Sequence, residues 1–206
     1  MNRLKHFFFI FPLLFFSSIV FAVPLPAETL TALLNCFHTY QADFSQTTTS
    51  NHHRVLQKST GTMMLMRPNH FRWETKTPDH QIIITNGKIV WIYDVDLQQV
   101  TQQSIDNTPT NPAKLLSGNA AQLLRQFDVQ LMQGATQQIF LLIPKTPNQT
   151  FQSVRISFKN KKLTQMQIQN SLSQTSTFIF SHIVINPVFS PTLFSFTAPK
   201  NVDVLK

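Results

Sequence analysis

The chain has 206 residues, of which 42% are hydrophobic, with 17 Lys and Arg against 9 Asp and Glu and a formal net charge of +8. The length suits one domain with a sizeable core, and the single cysteine, Cys36, excludes an intramolecular disulfide. The one basic cluster, Lys159-Asn160-Lys161-Lys162, is typical of a solvated hairpin turn, which predicts no nucleic-acid partner. The basic excess still favours contact with anionic lipid or an acidic partner.

The N-terminus carries the pattern of a cleavable secretory signal over residues 1–22. A short positive start precedes an apolar run from Phe7 to Phe16, and Val20 and Ala22 occupy the positions before a predicted cleavage site. The alternative is a membrane anchor, but the apolar run is shorter than the roughly 20 residues that span a bilayer. We therefore predict an exported domain of residues 23–206.

The first element after this signal is predicted to be a helix from Glu28 to Tyr40. Its apolar residues recur at three- and four-residue spacing and form one stripe, which consists of Leu30, Leu33, Leu34 and Phe37. Cys36 lacks the small preceding residues that mark a lipidated cysteine. We expect it to be a buried helix residue of an unanchored protein.

Alternating polar and apolar residues after Gln41 predict a largely antiparallel sheet. The connection Asn86-Gly87, between the predicted strands Gln81–Thr85 and Lys88–Asp94, predicts a type I′ turn. The alternation breaks after Ile105, where two short helices are predicted over 113–116 and 119–126. Their predicted caps are Asn111 and Asn119, and Pro112 is at a first helical position.

Six further strands are predicted after these helices, which brings the total to about ten or eleven. They are Phe127–Leu131, Gln138–Ile143, Val154–Phe158, Leu163–Gln169, Thr177–Ile185 and Phe194–Thr197. A curved sheet of this kind, with apolar helices laid over it, predicts either a filled core or a cavity with a lid.

No motif of the chain supports catalysis, a cofactor or a metal site. His52-His53 lies in a polar loop without a nearby carboxylate or cysteine, so a solvated pair is favoured. Cys36 and His38 are two residues apart and do not face each other on a helix. The segment Arg67-Pro68-Asn69-His70-Phe71-Arg72-Trp73 stands out more, although periodicity alone favours an ordinary hairpin with two core aromatics.

Several stretches together resemble the LolA family of periplasmic lipoprotein carriers. They are Ala42-Asp43-Phe44-Ser45-Gln46, the run from Gly61 through Arg67-Pro68-Asn69 to Trp73, Pro78-Asp79, the run Ile83–Tyr93, Asn107-Thr108-Pro109, and Phe194–Val204. They occur in the family's order and cover nearly the whole chain after the signal.

The resemblance implies an unclosed antiparallel β-barrel of about 11 strands enclosing a hydrophobic cavity under a lid of three helices. It implies that Arg67 latches this lid through backbone carbonyls, with Leu34, Leu116 and Ser117 as the partners. Large apolar residues are the candidates for the cavity lining: Leu30, Phe37, Phe44, Met64, Met66, Phe71, Trp73, Ile84, Trp91, Phe140, Leu142, Phe178 and Phe180.

The implied function is that of a chaperone, active as a monomer in the periplasm of a Gram-negative bacterium. It would carry lipidated lipoproteins from an inner-membrane ABC releasing complex to an outer-membrane receptor. A lipid-binding or receptor module of the same fold is the nearest alternative. An outer-membrane β-barrel, which would need aromatic girdles and a C-terminal aromatic residue, and an exported hydrolase are the more distant ones.

Overall fold

A computed structural model describes residues 24–105, 112–133, 136–146, 151–200 and 202–205, with the side chains of 112–114 and 133 outside the description. The predicted signal over residues 1–22, the Asn107-Thr108-Pro109 stretch and the proposed cap Asn111 therefore lie outside the described residues. In the described part, no helix is long and apolar enough to cross a bilayer.

Twelve strands and three α-helices make up the described chain. The helices are α1 (Pro26–Asn35), α2 (Pro112–Ser117) and α3 (Ala120–Leu124). The strands are β1 (Thr39–Thr49), β2 (Val55–Met66), β3 (His70–Thr77), β4 (Gln81–Asn86), β5 (Ile89–Asp94), β6 (Gln99–Ser104), β7 (Phe127–Gln133), β8 (Gln137–Pro144), β9 (Phe151–Lys159), β10 (Lys162–Asn170), β11 (Thr175–Ile185) and β12 (Asp203–Leu205).

All twelve strands belong to one sheet in the order β12-β6-β5-β4-β3-β2-β1-β11-β10-β9-β8-β7. Neighbours pair antiparallel except β12 and β6, which are parallel. The sheet does not close, because β12 and β7 do not pair with each other. The prediction of an unclosed, mainly antiparallel barrel with helices is confirmed.

The inner face of the sheet carries the hydrophobic core. Since side chains alternate between the faces of a strand, Tyr40, Ala42 and Phe44 of β1 point inward together with their β2 and β11 partners. The helices complete this core, with α1 packing on α3 and both contacting β7. In α1 the apolar stripe Leu30, Leu33, Leu34 is buried, which is the amphipathic pattern of a surface helix.

Local predictions have mixed outcomes. Asn119 caps α3, since its side-chain oxygen accepts a hydrogen bond from the backbone N–H of Gln122 at 3.1 Å. The turn between β9 and β10 is exposed, with both central residues, Asn160 and Lys161, at positive φ (51° and 62°) as a type I′ hairpin requires. The first helix ends at Asn35, five residues before the predicted Tyr40, which belongs to β1.

Three predictions are wrong. The turn at Asn86-Gly87 is not type I′, since Gly87 has positive φ (+87°) but Asn86 does not. The Asn86 side chain instead accepts hydrogen bonds from the N–H groups of Lys88 and Ile89. Residues Phe194–Thr197 form no strand: a 3-10 turn, Pro191–Phe194, precedes extended chain. Cys36 follows the last helical residue and is exposed rather than buried.

The segment after β11 covers the outer face of the β3–β5 region. The 3-10 turn Pro191–Phe194 packs against β3 and β4, and Phe194 lies edge-on to His70. The Phe196 ring contacts Trp91 and Tyr93 of β5. Both faces of this half of the sheet are therefore apolar.

Tyr40 provides a buried polar tie across the core. Its hydroxyl donates a hydrogen bond to the carbonyl of Leu163, and burial raises the pKa of Tyr40. A tyrosine in the unfolded chain ionises near pH 10, so the unfolded state loses its proton first. The stability that Tyr40 provides is therefore complete below about pH 10 and is lost as the pH rises above it.

We expect Tyr40→Phe to lower the free energy of unfolding at pH 7 by about 1–3 kcal/mol, because the buried Leu163 carbonyl loses its donor. The variant should also lose less stability than the wild type between pH 9 and 11. Urea unfolding at several pH values measures both effects. Parallel pH profiles of the two proteins would contradict the assignment.

Candidate functional site

Arg67 joins the sheet to the helices. It follows the last residue of β2, and its guanidinium donates one hydrogen bond to the carbonyl of Gly118 at 2.8 Å and another to the carbonyl of Leu116. Both acceptors lie at the C-terminal end of α2, where helix carbonyls lack intrahelical partners. A cation at a helix C-terminus also interacts favourably with the helix dipole.

The charge of Arg67 is not neutralised by any described carboxylate within ion-pair distance. Its guanidinium carbon lies 5.3 Å from the centre of the Phe37 ring, and its Nε is buried without a hydrogen-bond partner. This burial lowers the pKa of Arg67 to about 10, so the side chain remains a cation at neutral pH. The contact thus combines strong hydrogen bonds with an incompletely compensated charge, which limits its net strength.

Asn69, which was not among the residues expected to hold the helices, makes a third link to the same helix end. Its backbone N–H donates to the carbonyl of Ser117 at 2.9 Å. The residue has φ of 61°, a left-handed conformation that asparagine tolerates better than most residues. The Arg-Pro-Asn order was the available signal, because this turn presents the backbone of Asn69 and the side chain of Arg67 to one helix.

The expected partner Leu34 is not bonded to Arg67. Leu34 is fully buried in the core, and none of the hydrogen bonds of Arg67 to described residues reaches it. Instead, the end of α1 meets Arg67 through the Phe37 ring and through the backbone, where the Arg67 N–H donates to the carbonyl of His38 at 2.9 Å. Ser117 contributes its carbonyl to Asn69.

Asn186 forms hydrogen bonds with the connection between α1 and β1. Its side-chain oxygen accepts hydrogen bonds from the N–H groups of His38 (2.8 Å) and Thr39 (3.4 Å). Its own N–H donates to the carbonyl of Thr39, whose hydroxyl donates to the carbonyl of Pro187 at 2.6 Å. The connection between α1 and β1 is therefore bonded to the start of the C-terminal segment.

We expect Asn186→Ala to accelerate amide hydrogen exchange at His38 and Thr39 by about tenfold, because one acceptor serves both groups and a net hydrogen bond contributes about 0.5–1.5 kcal/mol. The backbone of Asn186 is left-handed, with φ of 56°. Asn186→Gly keeps this conformation accessible and is the matched control for backbone strain. Exchange at these amides that stays at the wild-type rate in both variants would mean that Asn186 does not hold this connection.

Large aromatic rings fill the centre of the concave face. Phe44 stacks on Trp73 with centroids 3.9 Å apart, and Trp73 is edge-on to Phe178 at 5.3 Å and parallel to Phe71 at 6.0 Å. Gly61 lies beneath this stack, where an added Cβ would be 2.7 Å from the Phe44 ring and 1.9 Å from the carbonyl of Glu74. The arrangement of the rings thus requires a residue without a side chain at position 61.

A cavity of about 440 Å³ opens beside these rings, between β1–β5 and β11. Its apolar part consists of Phe71, Trp73, Ile83, Phe178 and Pro78. Polar residues form the rest of its lining: Gln46, Gln57, Ser59, Thr75, Asp79, Gln81 and Asp94. Phe71, Trp73 and Phe178 are buried and Asp79 is exposed, so the aromatic part of the lining lies deeper than this carboxylate.

Most of the predicted lining residues lie on the concave side, although only part of them reach the open cavity. Phe71, Trp73 and Phe178 line it. Six others are buried in the surrounding core: Leu30, Phe37, Phe44, Phe140, Leu142 and Phe180. The polar residues Gln46 and Ser59 were missed, because their side chains give no apolar signal although alternation along β1 and β2 places them inward.

Four predicted lining residues are on the wrong face. Trp73 faces the core and pairs with Ile83, so the neighbouring pair Arg72 and Ile84 faces outward together with Trp91. Met64 and Met66 alternate with the inward Met63 and Leu65 and also face outward. Ile84 is buried all the same, because the C-terminal segment covers it.

No cluster of three potential metal ligands occurs among the described residues. For binding, the arrangement offers an apolar concave face, a cavity with a mixed rim, and a helix α2 whose C-terminal carbonyls bond to Arg67 and Asn69.

Comparison with known proteins gives concordant results. Residues 35–197 match the family described as outer membrane lipoprotein carrier protein LolA. An outer-membrane lipoprotein carrier protein of Coxiella burnetii is 44% identical over 192 residues, covering 92% of this chain and 91% of the relative. The protein of that name from Pseudomonas aeruginosa is 37% identical, covering 87% and 86%.

The fold has a counterpart among solved structures. An uncharacterized conserved protein of Thermus thermophilus superposes with a TM-score of 0.55 at 12% identity, covering 88% of this chain and 99% of that chain. At this identity the likeness concerns the fold. The sequence match spans most of the chain, and both carrier proteins exceed 30% identity over most of their length, so the chain belongs to the outer-membrane lipoprotein carrier (LolA) family.

Proposed function

We propose that this chain is a periplasmic chaperone of a Gram-negative bacterium, released after cleavage at Ala22, that carries acylated lipoproteins as a monomer. It would receive them from an inner-membrane ABC releasing complex and deliver them to an outer-membrane receptor. The role is binding and transfer, with no bond made or broken. The observation that carries the proposal is the apolar concave face that Arg67 and Asn69 close with α2.

The energetics of acyl chains explain why such a carrier needs an enclosed apolar face. Each buried methylene contributes about 0.8 kcal/mol, so ten methylenes left in water cost roughly 8 kcal/mol. An acylated protein therefore crosses an aqueous compartment only when its chains are covered. The family membership supports the identity of the cargo, and the inward aromatic residues support the mode of burial.

Loading requires the helices to move. In the described conformation, residues of α1, α2 and α3 share one continuous core with the strands. The remaining cavity of about 440 Å³ is at the lower end of the range for small-molecule pockets, roughly 300–1,000 Å³, which is little space for several acyl chains. Cargo would therefore replace helix side chains on the inner face of the sheet.

The Arg67 contact suits a lid that opens without an energy source. Hydrogen bonds from a charged donor contribute about 1.5–3 kcal/mol each, so two of them are outweighed by the burial of a few methylenes. Binding of the chains then opens the lid, and re-formation of the Arg67 contacts favours release. The balance between the closed and the open lid then shifts only by as much as cargo binds the open state more tightly than the closed state.

Detergent-free purification from a periplasm that contains lipoproteins tests this function. We expect mass spectrometry to find acylated protein bound to the wild type. Phe178→Glu, which places a charge in the cavity, should remove it, whereas Ile179→Glu on the neighbouring outward position should retain it. Circular dichroism of both variants controls for folding. Wild-type protein that carries no acylated protein would contradict the proposal.

A further inference from the structure

The polar part of the cavity lining is unusual in its charge. Five of its residues are neutral amides or hydroxyls, namely Gln46, Gln57, Ser59, Thr75 and Gln81. The charged residues are both carboxylates, Asp79 and Asp94, and no described Lys, Arg or His lines this cavity. The rim of the cavity is therefore acidic, although the chain as a whole has a net charge of +8.

The neutral residues are partly organised into a network. The hydroxyl of buried Ser59 donates to the side-chain oxygen of Gln46 at 3.2 Å, and the Gln46 amide donates to the hydroxyl of Thr48 at 3.2 Å. Thr48 in turn contacts the hydroxyl of Ser176 at 2.9 Å. A ligand with ester, amide or hydroxyl groups meets matching donors and acceptors along this wall.

We propose that Asp79 and Asp94 make the cavity selective for amphiphiles with a neutral or cationic polar end, and that they exclude anionic ones such as fatty-acid anions. This inference rests on the proposed function. The acyl-bearing end of a lipoprotein carries uncharged esters and amides, whereas free fatty acids offer the same apolar chain with a negative charge. Burial of the apolar chain gives these ligands the same affinity, whereas charge at the rim of the cavity gives them different affinities.

The physical basis is repulsion in a partly dehydrated site. An anion held in the cavity lies beside two carboxylates, with no Lys, Arg or His among the described lining residues, and charges near a protein surface interact with an effective dielectric constant of about 20. Two such repulsions predict a discrimination of about tenfold at low salt. Because the Debye length falls from about 10 Å at 0.1 M to about 3 Å at 1 M salt, the discrimination should diminish as salt is added.

Three ligands with the same ten-carbon chain test the inference: decanoate, 1-decanol and decyltrimethylammonium, each below its micellar concentration at pH 7.5. Their binding can be followed by Trp73 fluorescence in a Trp91→Phe background, because Trp73 lines the cavity and Trp91 faces outward. We expect the alcohol and the cation to bind about tenfold or more tightly than decanoate at low salt.

Asp79→Asn/Asp94→Asn should strengthen decanoate binding about tenfold and change decanol binding less than twofold. Asparagine keeps the oxygen that accepts the Leu97 N–H at Asp94. Asp128→Asn/Asp203→Asn changes the net charge equally at exposed positions outside the cavity and should leave decanoate binding unchanged.

Equal affinity of the wild type for decanol and decanoate would overturn the charge selectivity alone. The same holds if the Asp79/Asp94 variant and the Asp128/Asp203 control bind decanoate equally well. Absence of decanol binding to the wild type would overturn the inference and would also count against the proposed function.

Discussion

Replacement of Arg67 by leucine is expected to loosen α2 and α3 and to make the protein hold its cargo longer. The substitution removes the donors to the carbonyls of Leu116 and Gly118. Two hydrogen bonds from a charged group correspond to about 3 kcal/mol or more, which is about a hundredfold in the ratio of closed to open lid. Amide hydrogen exchange in α2 and α3 should accelerate by about this factor.

Arg72→Leu is the matched control for Arg67→Leu. Arg72 is five residues away on the outer face, where its described hydrogen bond is to Glu74 at 3.4 Å rather than to a helix carbonyl. A partly exposed ion pair of this kind contributes little to stability, so the amides of α2 and α3 in the control should exchange at the wild-type rate. If Arg67→Leu left α2 and α3 as protected as in the wild type, Arg67 would not be the latch.

The effect on cargo follows from the same equilibrium. A variant that closes poorly leaves the acyl chains in place, so transfer to the proposed receptor should slow while loading remains possible. A transfer assay with preloaded protein measures the half-time of release for Arg67→Leu and Arg72→Leu. Faster release from Arg67→Leu than from the control would show that closure does not drive unloading.

Gly61→Ala is expected to have the largest effect on stability. The new Cβ would be 1.9 Å from the carbonyl oxygen of Glu74 and 2.7 Å from the Phe44 ring, and neither the paired backbone nor the stacked ring can retreat without disturbing Trp73. Overpacking of this severity costs about 3 kcal/mol. Urea unfolding should show a lower midpoint, and near-ultraviolet circular dichroism should report the displaced aromatic rings.

Thr60→Ala is the control for the same strand. Thr60 is exposed and its hydroxyl contacts that of Thr77, so its truncation should cost less than about 1 kcal/mol. A Gly61→Ala variant as stable as Thr60→Ala would mean that β2 and β3 separate easily at this point. The proposed dependence of the ring stack on Gly61 would then be wrong.

The fold was largely predictable because its signals are local. Alternation along the strands and the three- and four-residue spacing in α1 follow directly from strand and helix geometry. Where a second interaction competed with the local signal, prediction failed. At Asn86 the side chain formed its own hydrogen bonds to the following N–H groups, and the turn type changed accordingly.

The face of a strand was predictable only where one side meets water. Along β1 the inward side chains are apolar near the helices and the outward ones are largely polar, so Phe44 could be placed correctly. Along β4 and β5 the C-terminal segment covers the outer face as well. Apolar residues such as Ile84 and Trp91 therefore occur on the outer face, and the inward Ile83 cannot be told from them by residue type. Their register against Trp73, which decides the face, is a long-range property of the sheet.

The family resemblance led us to expect contacts between Arg67 and the helices, and the structure places some of the expected residues beside it. The carbonyl of Leu116 accepts a hydrogen bond from Arg67, because the end of a short helix offers free carbonyls near the turn after β2. The link from Asn69 involves backbone atoms alone, and the contact of Arg67 with Phe37 rather than Leu34 depends on where α1 ends. The Arg-Pro-Asn order signals the turn but not its partner, and the end of α1 was predicted five residues too late.

The short parallel strand β12 also affects how copies of the protein can associate. It occupies the free side of β6, so the described chain presents at that margin a strand of three residues instead of six. A very short edge strand is a poor template for adding another chain. Since β7 is then the longer margin, edge-to-edge association would stop at a pair of copies and would not propagate into a filament.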